Sequence, residues 1–264
     1  MNRVSVILIC QDEEDRIEAC LESVSWADEI VVVDSGSQDN TLELAGKYNA
    51  RIFEQRDWQG FGYQKRYAEE KASNDWIFSI DADEVVSKEL REAILQILQA
   101  PDERAVYRIN RLTCFHGRMI RHSGWHPDRI VRLYNRKHYH FNDKVVHEKV
   151  DCNQARKVDL DGILYHYTLM SPGEYIDKRN RYAKSWAEHQ HSKGRKTGVF
   201  EILVRPAFAF FRHYILRRGF LDGYPGFLIA VIQMQYTFNK YNFLKFLNDH
   251  PDPHCRNKGL PKQS

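Results

Sequence analysis

The sequence predicts an α/β protein: a mostly parallel mixed sheet flanked by helices, with a helical extension at its C-terminal end. Three observations predict it. Short runs rich in β-branched residues, Val4–Cys10, Ile30–Val33 and Trp76–Ile80, are spaced by segments whose apolar residues recur at helical intervals, the rhythm of βαβ units. Each run stops at a polar loop, at residues 11–14, 34–41 and 81–84. From Val199 onward the apolar positions follow helical spacing only. A chain of 264 residues with 42% hydrophobic and 28% charged residues is long enough for one substantial core and has the composition of a soluble globular protein.

In order, Val4–Cys10 reads as a buried strand, and Asp12 as the cap of a helix with apolar Ile17, Leu21 and Val24. Ile30–Val33 is a second buried strand ending at Asp34. A helix through Leu42 and Ala45 follows, and Arg51–Phe53 is a third strand. Gly60-Phe61-Gly62 opens a helix running through Tyr67 to Ala72. The strand Trp76–Ile80 ends at Asp81, Asp83 and Glu84, and Ser87 opens the next helix. Arg104–Leu112 alternates as a strand. Cys114–Pro127 mixes Gly, Pro, aromatic and basic residues as a long functional loop would. Asp128–Tyr134 is an alternating strand, the segment Phe141–Val150 follows, and Tyr165–Tyr167 is another short strand. Ser171, Pro172 and Glu174 form a helix start with a capping box, and that helix ends near Gly194. The apolar stretch from Val199 turns at 220–227 into a second apolar helix from Leu228 to about Phe246, and the Pro-rich tail from Asp249 is expected to be flexible. No internal repeat is present.

The strand ends carry the functional signal. In an open α/β sheet, ligands bind at the carboxyl ends of the strands. Neither G-x-G-x-x-G nor a P-loop follows the first strand. Gln11-Asp12-Glu13-Glu14 stands there instead and would repel a bare phosphate. Phosphates would then be held through a divalent cation at Asp81 and Asp83, Mg²⁺ or Mn²⁺ by the preference of hard ions for oxygen. Asp34 suits hydrogen bonds from a base or ribose. A turn leading into a helix N-cap accounts for Asp81-Ala82-Asp83-Glu84 equally well.

Net charge is +3, but acidic groups crowd the first 103 residues and basic ones are dense from Arg104. The basic half suits an anionic ligand or surface; nothing points to nucleic acid. Five cysteines without a CxxC pair suggest a reducing compartment and no structural zinc. No run approaches 18 apolar residues, so no transmembrane helix is expected.

The succession Gln11-Asp12-Glu13-Glu14, VVVDSGSQDNT (31–41), GFGYQKRYA (60–68) and WIFSIDADE (76–84) resembles inverting family 2 glycosyltransferases of the GT-A fold. More narrowly it is similar to bacterial lipopolysaccharide inner-core β-1,4-glucosyltransferases. The resemblance implies a nucleotide-sugar-binding domain over 1–170, with a nucleotide-sugar half at 1–100 and an acceptor half at 101–170. A helical extension over 171–248 and a flexible tail over 249–264 follow. It implies transfer of glucose from UDP-glucose to a core heptose on a lipid-linked saccharide, with a divalent metal. By position, Asp34 would contact uridine with Asp12 and Glu13 near the base, Asp81 would face ribose or metal, and Asp83 would be the direct metal ligand. Gln64-Lys65 matches a segment near the nucleotide, although Arg66 stands where Asn is usual, and Asp12 stands where Asn is frequent.

Inverting transfer needs one general base to take the acceptor hydroxyl proton. Glu148 is the candidate, with His147 beside it as a metal or phosphate contact; Asp143 and Asp128 are rivals. Solvated charges on a strand would give the same Val-His-Glu. Trp125, Arg129 and Arg132 are candidate acceptor contacts, although Trp125 could be packing only. The basic, aromatic helices from Val199 suit either a membrane interface or a cap over the catalytic domain. The expected location is cytoplasmic, peripheral on the inner face of the cell membrane. Three other readings compete. A glycosyltransferase of another cell-envelope or capsular glycan would show the same motifs. A sugar-nucleotide pyrophosphorylase would want a glycine-rich basic first loop, which is absent. A non-catalytic nucleotide-sugar binder would not need the carboxylates.

Overall fold

The computed structural model describes residues 2–142, 148–168 and 172–250. The chain forms two compact units, Met1–Cys114 with Pro127–Thr168, and Phe115–His126 with Leu169–Ser264. Residues 115–126, read as a loop of the first unit, belong to the helical one, because Phe115 and Ile120 are buried with Ile229, and Trp125, Tyr175 and Leu228 pack around them.

The first unit is built on β1 (Val4–Cys10), β2 (Glu29–Asp34), β3 (Arg51–Glu54), β4 (Trp76–Ser79), β5 (Glu84–Val86), β6 (Ala105–Phe115), β8 (Asp128–Asn135) and β9 (Arg156–Tyr167); the two-residue β7 (Arg118–Met119) lies in the second unit. The strand order is β3-β2-β1-β4-β8-β6-β9-β5. β3, β2, β1 and β4 are mutually parallel. β8 is antiparallel to both β4 and β6, β9 is parallel to β6, and β5 is antiparallel to β9. The mixed character comes from the second half of the sheet.

Alternation along β1 sorts its side chains. Val4, Val6 and Leu8 face a core shared with α1 (Ile17–Ser23) and α4 (Lys88–Ile97). Ile7 faces the opposite core, with Val31, Val33 and Ala68 of α3 (Phe61–Lys71). Helices therefore cover both faces, as buried parallel strands require. The remaining helix of this unit is α2 (Thr41–Gly46).

Two local expectations are corrected. Asp12 does not cap α1. Its φ is +53°, it sits in the loop, and the cap position is Arg16, whose side chain makes no capping bond. The short strand Tyr165–Tyr167 is the end of the twelve-residue β9. Charged Arg156, Lys157, Asp159 and Asp161 disguise its first half, and Gly162, with φ +92°, marks the register shift against β6. Ser87 does cap α4, its hydroxyl accepting the Leu90 N–H at 3.2 Å.

The second unit holds α5 (Pro172–Ser192), α6 (Val199–Phe211) and α7 (Gly223–Asp249). A π-helical turn, Arg212–Leu216, and a 3-10 turn, Gly219–Asp222, join α6 to α7. The last helix starts five residues before the expected Leu228, because Pro225 is tolerated in a first helical turn. Gly226 lies so close to Gly219 that a Cβ there would fall 1.9 Å from the Gly219 carbonyl oxygen. Ser171 and the tail beyond 250 lie outside the described residues.

Candidate active site

The three polar loops at the strand ends do converge. Asp12 Oδ1 accepts the Gln38 N–H at 2.8 Å, Thr41 Oγ1 accepts the Glu13 N–H at 2.8 Å, and Glu14 Oε2 accepts from Asn40 N and Nδ2 at 3.0 and 2.8 Å. The Cys20 thiol reaches the Asp81 carbonyl at 3.5 Å, which ties α1 to the third loop. Burial raises the Glu13 pKa, and Asp83 is among the charges that push it further.

Asp34 is buried and bound into its own loop. Its carboxylate accepts the Gly36 N–H at 2.8 Å, the Ser37 N–H at 3.0 Å and the Ser37 hydroxyl. A ligand would have to displace one of these donors to reach it. Beside the loop is a hollow of about 290 Å³ lined by Ile9, Cys10, Gln11, Glu13, Ser35, Trp58 and Phe61. Trp58 and Phe61 meet edge to face at 4.9 Å and are both exposed. Of Asp12, Glu13, Asp34 and Asp81, Glu13 alone lines this hollow. The aromatic pair around Gly60 was not read from the sequence; a Trp and a Phe flanking a glycine just before a helix were its only signal.

At the end of β4 the chain turns through Asp81-Ala82-Asp83 directly into β5. Glu84 is thus a strand residue, opposite His166 of β9, and it is fully buried. Arg132 donates to Asp81 at 2.5 Å and to both Glu84 oxygens at 2.8 and 2.9 Å. Arg111 reaches Glu84 at 3.4 Å and Asp128 at 2.8 Å. Burial alone would raise the Asp81 pKa, but the Arg132 and Lys65 charges outweigh it and hold the group well below the usual carboxylate range. Burial raises the Glu84 pKa. Arg132, a candidate acceptor contact, is buried and bound by these two carboxylates. The even alternation of β8 concealed which face of the strand would close over them.

Lys65 of α3 is also buried. Its ammonium lies 2.9 Å from Asp81 Oδ1 and 3.1 Å from Glu148 Oε1. One cation thereby joins the strand-end carboxylate to the candidate base, which lies 83 residues from Lys65 along the chain. Glu148 is reached through the isolated bridge Phe141↔Val150. Phe141 is anchored by Glu69, whose Oε1 accepts the Phe141 N–H at 3.2 Å and the Tyr134 hydroxyl at 2.5 Å. Burial pushes the Glu69 carboxyl up to about 7. His147 and Asp143 lie outside the described residues. Asp128, the other rival base, is held by Arg111.

Lys65, Asp81, Arg132 and Glu148 open on a cavity of about 460 Å³ over β6 and β8. Its wall carries seven cationic side chains, among them Arg108, Arg111, Arg129, Lys149 and Lys157, against the carboxylates of Asp81 and Glu148. Arg108 and Arg129 both bind Asp159; Lys149 and Lys157 have no carboxylate partner among the described residues. Trp125 belongs to the second unit, where it packs on Phe115 and Tyr175.

Asp83 differs from its neighbours. It has no Lys or Arg partner among the described residues, and its Oδ2 lies 3.1 Å from His166 Nε2. His166 was not singled out from the sequence; only its place opposite Glu84 brings it here. Among the described residues no three His, Cys, Asp or Glu side chains are grouped to hold a metal ion. The Asp83 carboxylate fits a Mg²⁺ or Mn²⁺ ion that completes its shell with water and substrate phosphate oxygens, and the His166 imidazole beside it is a further donor for Mn²⁺. Asp81, neutralised on both sides, fits that duty less well.

Residues 5–163 match the domain described as Glycosyl transferase family 2. The chain is 32% identical over 244 residues to an uncharacterized glycosyltransferase of Rickettsia typhi, covering 88% of this chain and 83% of that one. It is 32% identical over 245 residues to the lipopolysaccharide core biosynthesis glycosyltransferase LpsC of Rhizobium meliloti, covering 89% of each. Among solved structures it is similar to S. aureus TarS 1-349 in complex with UDP, at 17% identity and a TM-score of 0.47, over 95% of this chain and 92% of that one.

Proposed function

Because the chain belongs to glycosyltransferase family 2, we propose that it transfers glucose from UDP-glucose to a heptose of a lipid-linked lipopolysaccharide inner core, with inversion. The observation that carries the site assignment is the Lys65 bridge between Asp81 and Glu148. It fixes a candidate base beside the strand end where nucleotides bind in such sheets. The likeness to LpsC supports the acceptor class, and the cationic wall of the larger cavity suits an anionic acceptor.

The chemistry is a single displacement. The acceptor hydroxyl oxygen bonds to the anomeric carbon, the bond from that carbon to the diphosphate oxygen breaks, and UDP leaves with the electron pair. Glu148 takes the hydroxyl proton. Lys65 holds the Glu148 carboxylate in place, which serves the strict geometry that proton transfer requires. The exposed Trp58 and Phe61 offer apolar faces to the uracil, and Glu13 lies at the rim of that hollow. Asp83, with His166 beside it, would hold the divalent cation. When bound, such an ion neutralises charge developing on a departing diphosphate.

The test is UDP release from UDP-glucose with Mg²⁺, with and without core saccharide acceptor. Acceptor-dependent release that drops by roughly a hundredfold or more in Glu148→Gln, within the range expected for loss of a general base, supports the assignment. Full activity in Glu148→Gln would refute it, and turnover of a different UDP-sugar in preference to UDP-glucose would refute the donor.

A further inference from the structure

The outer face of α6 and the turn after it reverses the usual pattern of a surface helix. Ile202 and Pro206 point inward, while Phe200 is 76%, Leu203 65%, Phe208 56% and Leu216 59% exposed, with Phe211 and Ile215 also open. Phe200, Val204, Phe208, Phe211 and Ile215, all exposed, recur at intervals of three and four and form one stripe along the helix, flanked by Leu203 and Leu216. With about half of each side chain open, these side chains alone expose on the order of 500 Å² of apolar surface, already within the roughly 300–600 Å² of the largest patch on an ordinary monomer. The inner side is satisfied by α7: Phe210 meets Phe227 at 6.0 Å, and Tyr214 meets Phe227 at 5.8 Å. The exposed stripe is therefore not waiting for its own core.

Charge selects the occupant. From Ile202 through Leu221 there is no Asp or Glu, while Arg205, Arg212, Arg217 and Arg218 are interleaved with the aromatics. The flanking acids are occupied internally. Glu201 accepts from Thr197 and Arg205 at 2.8 Å. Asp222 is buried and accepts from the Arg121 and His122 N–H groups and the Ser123 hydroxyl. A second copy laid on this stripe would set arginine against arginine, which like-charge repulsion disfavours. No helix among the described residues is long and apolar enough to cross a membrane.

We infer that this stripe lies in the plane of a membrane interface rich in anionic lipid, its phenylalanines sunk among the acyl chains and the exposed Arg212 and Arg218 against the headgroup phosphates. α6 with its π-helical extension forms a helical segment of roughly 27 Å at 1.5 Å per residue, the build of a monotopic anchor. The inference stands independently of the catalytic assignment.

The experiment is sedimentation of the full chain with phosphatidylcholine vesicles and with vesicles of equal parts phosphatidylcholine and phosphatidylglycerol, for the parent and for two variants. The expected result is binding at least about tenfold tighter to the anionic vesicles, the ratio that a few arginines near an anionic surface provide. Phe200→Ser/Leu203→Ser/Phe208→Ser removes binding to both vesicle types while near-UV circular dichroism is kept, since these side chains are outside the core. Arg212→Glu/Arg218→Glu removes the preference for anionic lipid. A parent chain that stays in the supernatant with anionic vesicles at low salt would overturn the inference. So would a triple-serine variant that binds as well as the parent, or a parent dimer in light scattering that the triple variant dissolves while neither sediments with lipid.

Discussion

Glu69 gives a pH dependence that can be worked through. Its carboxyl is buried, with a pKa pushed from 4.5 to about 7, burial being the leading cause. Oε1 accepts from Tyr134 and Phe141, while Oε2 makes no hydrogen bond. The folded carboxyl therefore keeps its proton between pH 4.5 and 7, where the unfolded chain has released it. The stability it contributes is fully present below about 4.5 and is lost as pH rises through 7. A gap of two and a half pKa units at 1.36 kcal/mol each is worth about 3 kcal/mol, of which about 2.5 falls between pH 5 and pH 8. Glu69→Gln keeps an oxygen for both donors but cannot titrate. Urea unfolding of parent and variant across that range cancels the groups that do not touch Glu69. The parent should lose about 2.5 kcal/mol relative to the variant as pH rises. His140 Nδ1 lies 3.5 Å from Oε2, and burial together with Arg66 and Arg136 lowers its pKa, so its own titration weighs on the acid end. Parallel curves for the two proteins would refute the reasoning and mean that Glu69 is ionised in the fold throughout.

Lys65→Met removes the shared cation and leaves Asp81 and Glu148 without it. We expect a loss of about 3–5 kcal/mol in urea unfolding, the usual cost of breaking a buried ion pair from one side, together with a collapse of transfer activity. Asp83→Asn should leave the urea midpoint near the parent value and abolish Mn²⁺-dependent UDP binding in calorimetry, whereas Asp81→Asn should lower the midpoint because Arg132 and Lys65 lose a partner. The opposite pattern would place the metal on Asp81. Trp58→Ala should weaken UDP binding by about tenfold, from a base-stacking contribution on the order of 1–3 kcal/mol, with no change in the urea midpoint. Gly162→Ala, where a Cβ would lie 2.2 Å from the Leu90 nitrogen, should cost more than about 1 kcal/mol of stability.

The parallel half of the fold was legible because its strands are dense apolar runs with abrupt polar ends. Val4–Cys10, Ile30–Val33 and Trp76–Ile80 needed little more than β-branching and length to be placed, and the convergence of their loops followed from βαβ geometry. The rest depended on contacts that spacing does not encode. Arg132 stood in the sequence only as a candidate acceptor contact, and the two carboxylates that hold it, some fifty residues away, could not be paired with it from spacing. β9 begins with charged residues, of which Asp159 pairs with Arg108 and Arg129, so Val158 and Leu160, which do pack on the core, make too short an apolar pattern to stand out. Residues 115–126 carry the composition of a surface loop and are organised by helices that follow much later in the chain.

The same contacts bear on how the site handles charge. Asp81, Glu84, Asp128 and Glu148 each have a Lys or Arg partner, and those cations come from α3, β6 and β8. Such pairing lets several carboxylates stand close together in a half-buried place without mutual repulsion unfolding it. It also makes most of them poor candidates for a further cation, because binding one would mean displacing a charge already seated. Asp83 is the exception at the strand end, with only an imidazole beside it. The arrangement therefore separates two duties that an Asp-x-Asp pair offers equally in sequence: the first carboxylate fastens the turn to Glu148 through Lys65, and the second has no Lys or Arg partner among the described residues.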